Sequence, residues 1–98
     1  MLPIRLSRRG RRRPAQVRLA RGVSTAAVED GLTLFGAAGA VYHLNATGTA
    51  VLAALTAGGI GHAVDALTAR YGLDAERARA DVTALLGELR NHGLVSGQ

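Results

Sequence analysis

The spacing of apolar positions changes once along this chain, near residue 45. Just before it, Val41-Tyr42-His43-Leu44 is rich in β-branched and aromatic side chains, which suit a short pleated strand. Just after it, Val51, Leu52 and Leu55 fall on one face of a helix. Asn45 and Thr47 stand between the two patterns, and either can cap the new helix with a short side-chain oxygen. Upstream, residues 17–19 read as a short strand or an extended lead-in. Residues 25–29 form a weak strand that Asp30-Gly31 ends. Asp-Gly between two extended runs is a hairpin signal, because both residues tolerate positive φ. Residues 32–35 make the next strand, Gly36-Ala37-Ala38-Gly39 a second turn, and residues 41–44 the third. The result is an antiparallel meander with its second strand central. The third strand is then an edge unless something covers it.

Three helices are predicted to follow. The first covers about 46–56 and stops at Gly58-Gly59, a pair suited to a left-handed C-terminal position. The second covers about 60–71, with Ile60, Val64, Leu67 and Tyr71 on one face and Gly72 as its stop. Asp74 caps the third, where Ala78, Val82, Leu85 and Leu89 form an apolar stripe with Leu86 beside it. Arg77 and Asp81, four apart, are expected to pair on its outside. Leu94-Val95 can fold back on the core. The predicted order is β-β-β-α-α-α, an α+β domain over residues 17–98.

Charge divides the chain differently. The net charge is +5, yet residues 1–21 hold eight arginines and no acid. In the remainder four arginines face seven acids, a net of −3. Residues 1–16 therefore read as a basic arm. Like-charge repulsion together with Gly10 and Pro14 predicts disorder there. The charge-free interval between Asp30 and Asp65 raises a membrane span, but Asn45, several threonines and Gly58, Gly59 and Gly61 interrupt it. The expectation is a cytoplasmic protein with no membrane partner.

Candidate chemistry is sparse. Cysteine is absent, so disulfides and thiolate metal sites are excluded. His43, His62 and His92 are too far apart for a ligand motif, and no metal or cofactor is expected. The acids are scattered over helix surfaces, and Ser24 has no histidine at a telling spacing, so no enzyme is expected. A winged-helix DNA-binding regulator is the rival reading, since helix two, a short turn and helix three resemble a helix-turn-helix. The third helix is close to neutral and lies in the acidic part of the chain, which leaves the arginine arm as that rival's main support.

Three stretches resemble the PqqD-like family of leader-peptide recognition domains. The most specific runs from Gly39 to Gly48 and contains Tyr42-His43-Leu44-Asn45-Ala46-Thr47-Gly48 before an apolar helix. The second is Ala66-Leu67-Thr68-Ala69-Arg70-Tyr71-Gly72. The third is Asp81-Val82 through Leu85-Leu86, Glu88-Leu89 and Gly93-Leu94. The resemblance covers about residues 23–95. The Gly36-Ala37-Ala38 turn and the arginine arm depart from the family pattern.

The resemblance implies a three-stranded antiparallel sheet packed on a three-helix, winged helix-turn-helix-like bundle. It also implies a non-catalytic protein that binds the leader of a ribosomally made precursor peptide, most often for a lasso peptide, and delivers it to a leader peptidase and a cyclase. The leader would add as a strand to the third strand's edge, beside the third helix. On this view Val41, Tyr42, His43 and Leu44 supply the edge. Val82, Leu85, Leu86 and Leu89 supply an apolar floor, shared with the core. Arg79, Thr83 and Arg90 stand ready for a leader carboxylate or carbonyl. The same open edge permits a homodimer.

Overall fold

The computed structural model describes residues 17–97. The basic arm of residues 1–16 lies outside the described residues. Three strands form the expected meander: β2 (Ser24–Val28), β3 (Gly31–Phe35) and β4 (Val41–Asn45), in the order β2-β3-β4. The register sets Thr33 opposite His43 and Leu34 opposite Tyr42. Leu34 and Leu44 therefore point to the core, while Phe35, Val41 and His43 share the outer face. Gly31 is required by close approach, since a Cβ there would run into the Leu44 carbonyl of β4.

A second sheet was not anticipated. β1 (Val17–Leu19) pairs antiparallel with β5 (Val95–Gly97), setting Leu19 opposite Val95. Helix geometry produces this pairing. Gly93 takes φ 70°, and the Leu94 amide donates to the Leu89 carbonyl at 2.9 Å. This left-handed stop turns Leu94 into the core, where it is fully buried, and lays the last residues beside β1.

The helical part has two elements rather than the three expected. α1 (Ala46–Tyr71) is continuous but kinked, and α2 (Ala75–Asn91) follows. The predicted stop at Gly58-Gly59 survives as the kink. Gly59 has φ 86° and ψ −169°, outside the helical region, yet the chain resumes a helix at once. Asn45 is the residue that caps α1, its Oδ1 accepting from the Gly48 amide at 2.8 Å. Asp74 caps α2 as expected, accepting from the Arg77 amide at 2.7 Å. By length and composition α1 could cross a membrane, with a mean hydropathy of 1.5. The kink divides it, and Val51, Leu52, Leu55, Val64 and Leu67 are buried in the core.

One core joins these parts. Val17, Leu34, Leu55, Val82, Leu89 and Leu94 are its largest fully buried side chains, drawn from β1, β3, both helices and the turn after α2. No polar or charged side chain is buried among the described residues. The core is aliphatic, with its specificity coming from packing and caps alone.

Candidate functional site

The free side of β4 is the feature around which a site can be built. Among the described residues nothing pairs with it. Strand geometry also says which backbone groups it offers. The Gly36 amide donates to the Ala40 carbonyl at 2.7 Å, which makes that facing pair a hydrogen-bonded one. Hydrogen-bonded and non-bonded pairs alternate along an antiparallel ladder. Tyr42 and Leu44 therefore spend their backbone groups on β3, and Val41 and His43 turn theirs outward. Neither β4 nor β2 carries an Asp, Glu, Lys, Arg or Pro, the usual guards of a sheet edge.

Beside this edge is a cleft. No Cα of β4 comes within 8 Å of a Cα of α2. At the Asn45 end the gap opens into a pocket of about 350 Å³, walled by Val51 and Leu67 of α1, Tyr71 at its end, and Asp81, Ala84 and Leu85 of α2. At the other end Tyr42 reaches across. Its hydroxyl donates to Glu88 Oε1 at 3.3 Å, and its ring meets the His92 ring with centroids 5.1 Å apart. His92 Nδ1 lies 2.9 Å from the Glu88 carbonyl and donates to it. Partial burial, reinforced by the negative charge and hydrogen bond of Glu88, raises the Tyr42 pKa above its ordinary 10.0.

The structure brings together only part of the predicted set. Val41, Tyr42, His43 and Leu44 form the edge strand as expected. Leu85 is half-buried and reaches the pocket. Val82, Leu86 and Leu89 do not, being 0%, 2% and 0% exposed and committed to the core. Arg79, Thr83 and Arg90 lie on the side of α2 turned away from Ala84 and Glu88, as a 100° step per residue requires. The Arg90 guanidinium is held there by the Gly97 carbonyl at 2.7 Å. Tyr71, grouped by its spacing with the apolar face of the second predicted helix, is 43% exposed and lines the pocket. His43 faces outward near Thr33 Oγ1 (3.3 Å) and Asp30 Oδ1 (3.5 Å). Asp81 keeps its predicted partner Arg77 at 3.4 Å and also reaches the pocket.

Sequence reasoning missed Asp81, Ala84 and Glu88 as cleft residues. The signal was present: 81, 84, 85, 88 and 92 follow i, i+3, i+4, i+7 and i+11 spacing, a second helical stripe of mixed polarity. Among the described residues no three His, Asp or Glu side chains gather closely enough to hold a metal ion.

The fold and site together define a small α+β domain in which an edge strand, its outer side unpaired among the described residues, borders an open, partly apolar cleft. The chain belongs to the PqqD family, coenzyme PQQ synthesis protein D, whose pattern matches residues 23–95. The resemblance seen in the Tyr42 to Gly48 stretch is thereby borne out. Two solved structures are similar to it. One is a lasso peptide synthetase B1 complexed with the leader peptide, at 26% identity and a TM-score of 0.77, covering 84% of this chain and 99% of that one. The other is TbiB1 in complex with the TbiA(beta) leader peptide, at 27% identity and 0.74, covering 82% and 95%. A comparison with curated proteins gives no match.

Proposed function

We propose that this protein binds the leader segment of a ribosomally synthesised precursor peptide in lasso-peptide biosynthesis. The leader adds as a strand to the free side of β4 and lies in the cleft against α2. The open edge beside a pocketed cleft carries this reading, in a chain whose fold matches two proteins solved with leader peptides. Main-chain bonds to the outward groups of Val41 and His43 give sequence-independent affinity, and the pocket beyond Asn45 gives selectivity. The leader must be ordered on binding, which offsets part of that gain.

The role is non-catalytic and cytoplasmic. By holding the leader, the protein presents the rest of the precursor to a leader peptidase and then a cyclase. Pairing of two copies through β4 would compete with the leader for the same edge. Titrating a fluorescein-labelled synthetic leader, from any precursor peptide encoded nearby, tests the proposal. Saturable binding that survives moderate salt is expected. Absence of saturation removes the proposal, and a loss of a thousandfold or so between about 50 and 200 mM salt is instead the behaviour of a nucleic-acid binder.

A further inference from the structure

We propose that Glu88 and Tyr42 together select a basic side chain, Lys or Arg, at one position of the bound strand. This rests on the strand-addition reading and adds to it the chemistry of the segment recognised. Because Tyr42 directs its backbone bonds to β3, a residue placed opposite it on the free side forms a non-hydrogen-bonded pair. In such pairs the Cα atoms are about 4.5 Å apart and the side chains lie close on the same face. The face Tyr42 occupies is the one turned to α2, where its hydroxyl already meets Glu88. An added residue opposite Tyr42 is therefore directed at the same carboxylate.

The chemistry of that spot is anionic and aromatic. Tyr42 uses one Glu88 oxygen at 3.3 Å, leaving the other to accept. The Tyr42 ring offers a π face, and a carboxylate beside an aromatic ring suits an ammonium or guanidinium. No arginine of the described chain supplies the missing charge. Arg90 is tied to Gly97 on the far side of α2, and Arg77 is paired with Asp81. The sequence had suggested the reverse, with Arg79 and Arg90 meeting an acidic leader group; the helix turns both away.

A double-mutant cycle tests this with the full chain and the labelled leader. The variants are Glu88→Gln, which keeps the acceptor for Tyr42, and leader peptides with each Lys or Arg replaced in turn by Gln. Glu88→Gln should weaken the unaltered leader about two- to fivefold, the range of a solvent-accessible ion pair. It should have no effect on the one leader variant that lacks the matching basic residue. Equal weakening of every leader variant, no weakening of any, or undiminished binding of a leader in which every Lys and Arg is replaced would each overturn the selection while leaving strand addition intact. Failure of the unaltered protein to bind the unaltered leader overturns both.

Discussion

The two sides of α2 make opposite use of the same helix. On one side Val82, Leu86 and Leu89 are buried, with Ala78 among them, and the surface is purely aliphatic. On the other, Asp81, Ala84, Leu85, Glu88 and His92 mix charge, a small residue and one half-buried leucine. The aliphatic side makes the helix part of the fold. The mixed side faces the edge strand β4, which it meets through Tyr42. Strong apolar periodicity locates the core of a domain this small, and the binding surface has to be sought one stripe over.

That comparison breaks most visibly at Leu86. At 2% exposure, Leu86→Glu buries an unpaired charge and should abolish the cooperative melt followed by circular dichroism. The milder Leu86→Ala should cost about 2–5 kcal/mol through the cavity it leaves. A Leu86→Glu protein that melts normally and loses only leader binding would move Leu86 to the cleft.

The strand edge gives the next largest effect, on binding without folding. Proline is tolerated in a strand where its missing amide faced outward. His43→Pro removes an outward amide and should melt within a few degrees of the parent while losing leader affinity at least about tenfold. Tyr42→Pro removes an amide committed to β3 and should unfold the sheet. If His43→Pro binds the leader normally, the free side of β4 is not where the leader docks. A smaller change sharpens the pocket's part. Ala84 is exposed on the pocket wall, so Ala84→Phe should fold and weaken the leader by about tenfold by filling space the leader needs.

Much of this molecule could be read from its sequence. The meander, the edge position of β4, the caps at Asn45 and Asp74 and the Arg77–Asp81 pair all follow local rules that a single chain displays. What could not be read depends on contacts between distant segments. Pairing of β1 with β5 joins residues nearly eighty positions apart, and nothing in Val17-Arg18-Leu19 names its partner. The Gly58-Gly59 break was visible, but a pair of glycines does not say whether the helix ends or resumes at an angle. At the site, the edge strand was found because its residue types and turns are local. The cleft wall was misplaced because leucines attract attention, whereas Glu88 acquires its meaning only from Tyr42, on a strand forty-six residues away.

The link between Tyr42 and Glu88 is also the smallest effect that can be measured. The Tyr42 pKa is raised in the folded state by burial and by Glu88, so the folded protein holds that proton more tightly than the unfolded chain. The stabilisation is complete below the ordinary tyrosine value of 10.0 and is lost as the pH rises from there through the higher folded value. At a partly exposed site the hydrogen bond contributes about 0.5 kcal/mol. Tyr42→Phe should therefore lower stability slightly at neutral pH and lessen the decline above pH 10, measured by urea denaturation across that range. Glu88→Gln should lessen the decline as well, because it removes the charge that opposes the phenolate. Equal alkaline declines in the parent and both variants would mean that the bond is not kept in solution, and that the two sides of the cleft meet without holding each other.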